Sequence, residues 1–183
     1  MREVSPRLKA RLVDAVLSSD FFVESCEFFS LEGNDGSKRF LAMTACKSND
    51  QIVVIFTIPT SASNVYITVT DGDRKLIRQV LATIEDFERD GTVRLGGVML
   101  LDDPGLRSHD IVGVIFLPVN TSNILDYLPD KIVVEGVEHR FLLVVFLRSD
   151  EHEIWRKYGH DSLMDFFKQN GKDLVLFRPD TLI

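Results

Sequence analysis

Little in this sequence can hold a metal ion, a disulfide or a lipid bilayer. Cysteine occurs twice, as Cys26 and Cys46, each in an apolar, strand-like stretch; buried free thiols are the first expectation and a bridge between them the second. Histidine is limited to His109, His139, His152 and His160. His152 and His160 lie on either side of Gly159 at a spacing unlike the one-turn spacing of a helical zinc site, and no cysteine is near them. No metal is therefore expected, and the histidines read as surface residues. No apolar run approaches the roughly 20 residues that a membrane-spanning helix needs. No basic-then-apolar leader opens the sequence, so a reducing cytoplasm is the expected location.

Chemical motifs are equally scarce. RLGGVML holds adjacent Gly96 and Gly97 but neither GxGxxG nor a lysine-bearing phosphate loop, and it reads as a bend or bulge in a strand. DGDRK, from Asp71 onward, lacks the further acids and closing glutamate of a calcium loop, and reads as a turn and helix cap. A GxSxG elbow is missing as well. No cofactor and no catalytic residue is expected. The enzyme alternative is a small hydrolase or transferase whose site is assembled from distant residues such as His109, His139 and Asp103. Positive charge is also in deficit: 21 Lys and Arg face 28 Asp and Glu, a net charge of -7. That balance, without any basic run, argues against nucleic acid and favours basic partners.

What is present suits a globular protein. Of the 183 residues, 45% are hydrophobic and 13 are phenylalanine, enough apolar surface for a self-sufficient core in one domain spanning residues 1–183. Ser5 and Pro6 open an amphipathic helix carrying Leu8, Leu12, Val13, Val16 and Leu17 on one face. CEFFSLE, RFLAMTAC and QIVVIFTI then read as antiparallel strands divided by NDGS and KSND, followed by SNVYITVT as a fourth. The period changes to that of a helix at Leu76, Ile77, Val80, Leu81, Ile84 and Phe87, with DGD at its start. GTVRLGGVMLL, DIVGVIFLPV and HRFLLVVFL supply further strands, the last two apolar enough to be buried on both faces. Ser149 is the expected N-cap of a final helix with Asp150, Glu151 and Glu153 in its first turn. Ile154 and Tyr158 should share a face, Gly159 should break the pattern, and Leu163, Phe166 and Phe167 should resume it before an end at Gly171. The fold class is α+β, helices packed on a mixed, mostly antiparallel sheet. The acidic run Glu85, Asp86, Glu88 and Asp90 is expected to project from the outer side of the second helix, as a solvated face that could also dock a basic partner.

The second half of the chain resembles the suppressor of fused domain. The resemblance lies in an ordered series: a helix ending at Gly91, a polar and proline-bearing crossing at Leu101 to Pro104, and hydrophobic strands at Ile115 to Pro118 and Phe141 to Leu147. A final helix with Asp150 to Glu153 near its start and Gly159 to Phe167 after them completes it. It covers about two-thirds of the chain and implies an α/β sandwich that binds proteins and performs no chemistry. The animal member is a two-domain regulator of Hedgehog signalling that holds a transcription-factor peptide by strand addition, and this chain has the length of its first domain. In that member an aspartate just after the helix-ending glycine contacts the partner; Thr92 stands there in this chain. Small single-domain relatives are similar in size, acidity and lack of an export signal, which implies a bacterial cytoplasmic immunity protein against a polymorphic toxin. The oligomeric state is left open by these features.

Overall fold

In the computed structural model, which describes residues 4–33, 36–60, 64–91, 93–174 and 176–177, each described α-helix starts where side-chain chemistry can satisfy free backbone amides. The Ser5 hydroxyl accepts from the Leu8 amide at 3.4 Å at the head of α1 (Pro6–Leu17), with Pro6 in the first turn. Asp73 accepts from Lys75 and Leu76 at the head of α2 (Arg74–Asp90). Asp103 does the same for the single-turn α3 (Pro104–Arg107) through Gly105 and Leu106. At α4 (Ser149–Gln169) the expected cap is displaced by one residue: Arg148 is the N-cap, and Glu151 reaches back to its amide at 2.8 Å. The Ser149 hydroxyl donates instead to Asp110.

The strands form one mixed sheet: β1 (Glu27–Glu32), β2 (Lys38–Ala45), β3 (Val53–Ile58), β4 (Asn64–Thr70), β5 (Val98–Leu100), β6 (Ile111–Pro118), β7 (Lys131–Val134), β8 (Val137–Arg148) and β9 (Leu176–Phe177). Their order is β1-β2-β3-β4-β8-β6-β5, with β7 paired to β8 and β9 to β4. Pairing is antiparallel except at β4–β8 and β4–β9. The long β8 lies at the middle, with β4 along one side, and β7 and then β6 along the other.

Period-two alternation along the central strands feeds two cores. Phe141, Leu143, Val145 and Leu147 of β8 meet Leu12 and Val16 of α1 and Leu163 and Phe167 of α4. Leu142, Val144 and Phe146 point the other way, toward Ile77, Leu81 and Ile84 of α2 and Leu106 of α3. The uninterrupted apolar run of β8 therefore follows from helices covering both of its faces.

Several details depart from the sequence reading. The fifth strand is confined to Val98–Leu100, and Gly96 and Gly97 lie in the turn before it, where Gly97 donates to Arg94 and Gly96 takes φ +73°. KIVV and VEHR form a hairpin closed by Glu135 and Gly136, both at positive φ, so β8 starts before His139. His139 is buried, not at the surface. Phe87 and Tyr158, both expected on inward faces, are exposed. Cys26 and Cys46 are partly buried and free; no bridge joins them.

Candidate functional site

The acidic run of α2 does not form an outward face. Ile77, Leu81 and Ile84 build the buried stripe of the helix, and the next steps of three and four residues along that stripe fall on Glu85 and Glu88. Glu85 is 2% exposed. Asp86 turns to Arg39 of β2, whose guanidinium pairs with it and also donates to Ser37. Glu88 accepts from the Asn64 side chain at the start of β4. The phenol of Tyr66, which is fully buried, lies beside Glu88. The side chain of Asp90 and all of Thr92 lie outside the described residues.

This cluster is short of donors. Both Glu85 oxygens, one Glu88 oxygen and the Tyr66 hydroxyl are sealed from solvent without a well-formed hydrogen bond. Burial pushes the Glu85 carboxyl up to about 7, against the opposing pull of Arg39 and the Thr60 amide. Burial also raises Glu88, and raises Tyr66 together with the Glu88 charge beside it.

The residues of the enzyme alternative do not converge. Ile111 pairs with Arg148, so His109 lies near the C-terminal end of β8, whereas His139 pairs with Ile132 near its N-terminal end. The intervening stretch of β8 puts roughly 30 Å of strand between the two positions at about 3.3 Å per residue. Asp103 is occupied in capping α3. His160 packs its ring against Gly96, and Trp155 donates to the Gly96 carbonyl at 3.2 Å, so these residues fix the turn before β5 on α4. No group of three or more His, Cys, Asp or Glu side chains among the described residues could hold a metal ion. No described helix is long and apolar enough to cross a membrane.

The sheet leaves β1 and β5 at its ends. In β1 the direction of each peptide group follows from the ladder. Gly33 donates to Ser37 at 2.7 Å in the same register that pairs Leu31 with Arg39 and Phe29 with Leu41. Antiparallel pairs alternate, so the odd-numbered residues bond to β2 and the amides and carbonyls of Phe28, Ser30 and Glu32 point outward. Sequence reading found β1 as a strand; it had no means of placing it at an edge. Lys9 lies over the Phe28 ring at 3.5 Å and Arg78 over the Phe29 ring at 3.9 Å, so a cation covers an aromatic ring on each face of the strand.

An α+β fold with one mixed sheet between two pairs of helices is thus the class that the structure defines. Its fold is that of suppressor of fused. A suppressor of fused homologue from Neisseria gonorrhoeae superposes with a TM-score of 0.72 at 11% identity, over 98% of this chain and 95% of that one. A chain of the Sufu-Fu complex gives 0.53 at 10% identity, over 99% and 93%. Drosophila Suppressor of Fused gives 0.51 at 9% identity, over 93% of this chain and 45% of its own length. The sequence matches no family model, and no curated protein matches it.

Proposed function

We propose that this chain is a protein-binding domain that performs no chemistry, and that the open edge of β1 receives an extended segment of its partner. The observation that carries the reading is the likeness over 98% of the chain to a suppressor of fused homologue, together with the likeness to a chain from a complex of Sufu with Fu. The edge supports the mode of binding: Phe28, Ser30 and Glu32 present a row of free backbone groups of the kind that strand addition uses. At three residues, β5 is a much shorter template. The α2 face is set aside because Glu85 is buried and Asp86 is engaged with Arg39.

Ser30→Pro tests the edge. It removes an outward amide while leaving the β1–β2 bonds in place, as proline permits on an edge strand. Capture of a specific partner by the wild-type protein, lost in Ser30→Pro with unchanged melting temperature, is expected. Equal capture by both proteins contradicts the edge, and recovery of no specific partner by either contradicts the binding role.

Within that role, the net charge of -7 favours a basic partner, and a cytoplasmic immunity protein that covers the phosphate-binding cleft of a nuclease toxin fits it. Co-expression with a toxin encoded beside the gene should restore growth. Continued killing would remove this assignment while leaving the binding role intact.

A further inference from the structure

Glu85 and Glu88 occupy positions that the buried stripe of α2 would give to apolar side chains, and Glu88 meets Tyr66 and Asn64 at the start of β4. Three carboxylates, Glu85, Asp86 and Glu88, meet one guanidinium there, and Asp86 holds it. No second cation from α2, β2 or β4 compensates Glu85 among the described residues; Thr60, just beyond β3, offers only a backbone amide. Tyr66, 0% exposed and belonging to a different element, turns its hydroxyl to Glu88 in the same place. Glu88 has donors in Asn64 and Tyr66, whereas Glu85 is enclosed beside two further carboxylates; ionised together these repel each other in a poorly solvated site, and a neutral Glu85 carboxyl avoids that repulsion.

We propose that Glu85 holds a proton in the folded protein and that releasing it loosens the second half of α2 from β3 and β4, so that seating of this helix is a pH-gated contact. The proton comes from and returns to solvent. Its direction follows from linkage. With Glu85 raised from 4.5 to about 7 by folding, the unfolded chain gives up the proton first. The folded state is therefore disfavoured progressively as pH rises from about 4.5 to about 7, and the loss stays constant above that range. Below it the carboxyl is protonated in both states and contributes nothing.

Glu85→Gln provides the test, since it preserves shape and fixes the neutral form. The folding constant of Glu85→Gln relative to wild type, measured by urea denaturation, is expected to rise about tenfold per pH unit across that window and then level off. Amides in the second half of α2 should exchange faster at pH 8 than at pH 5, after correction for intrinsic rates, in wild type but not in the variant. Parallel pH profiles for the two proteins would overturn the proposal. If Glu85→Gln fails to fold, carboxyl NMR titration of the wild type decides: titration of Glu85 near 7 supports the proposal, and titration near 4.5 overturns it. Removal of the pH dependence by added sodium or calcium chloride in wild type alone would also overturn it, by showing that Glu85 holds a metal cation rather than a proton.

Discussion

Lys172 follows the end of α4 and anchors what comes next: its ammonium donates to the Phe146 carbonyl at 2.9 Å and pairs with Glu151, the residue that also caps the start of α4. Burial lowers the lysine pKa and Glu151 opposes that shift. Lys172→Met would leave the buried Glu151 without its countercharge and is expected to cost about 3 kcal/mol by urea denaturation. Lys172→Met combined with Glu151→Gln should recover part of that loss. Gly113 sets a second residue-scale constraint, because a Cβ there would stand 2.4 Å from the Met99 carbonyl oxygen of the neighbouring strand. Backbone cannot yield as a flexible side chain can, so Gly113→Ala should cost roughly 1–3 kcal/mol and disturb β5 first, visible in amide exchange of Val98 to Leu100. At this scale the sequence was legible in part. Asp73 announced its cap by residue type, whereas Asp103, read only as a candidate site residue in a polar crossing, caps the single-turn α3. Glu85 and Glu88 were misplaced because acidity outweighed phase: steps of four from Leu81 and Ile84 already led to both glutamates, and of the two continuations from Ile84 the structure buries more of Glu88 and exposes Phe87.

Among the elements, α4 is unusual in running through a non-helical residue, Gly159 at φ 84° and ψ -175°. A Cβ at Gly159 would meet nothing within 4 Å, so any penalty at this position belongs to the backbone. Gly159→Ala is expected to lower stability by about 1–3 kcal/mol, since this region of φ/ψ is almost closed to other residues. Unchanged or higher stability by thermal denaturation would mean that the helix can straighten and that the kink is not required by packing. The break at Gly159 was readable from the glycine and the interrupted apolar spacing. Tyr158, 70% exposed, was misread because a residue beside a kink no longer follows the periodicity of the turn before it. The β7–β8 hairpin was missed for a related reason: Glu135–Gly136 makes the turn that Asn-Gly or Asp-Gly usually advertises, and Glu135 carries no such signal.

For the whole molecule, the two apolar runs in β6 and β8 foretold interior strands, and the alternation of strands and helices foretold their class. What local pattern could not contain is order in space: the parallel contact of Asn64–Ile67 with Arg140–Leu143 joins segments far apart in sequence. The same gap concealed the edge position of β1, on which the proposed function depends. Amide exchange of the isolated protein and of its complex with the captured partner measures that dependence residue by residue. In the free protein, Phe28, Ser30 and Glu32 should exchange quickly while Phe29 and Leu31, bonded to β2, exchange slowly. On binding, the first three should become protected with little change in the other two. Protection that leaves Phe28, Ser30 and Glu32 as fast as before, and appears on α2 or β5 instead, would contradict the account.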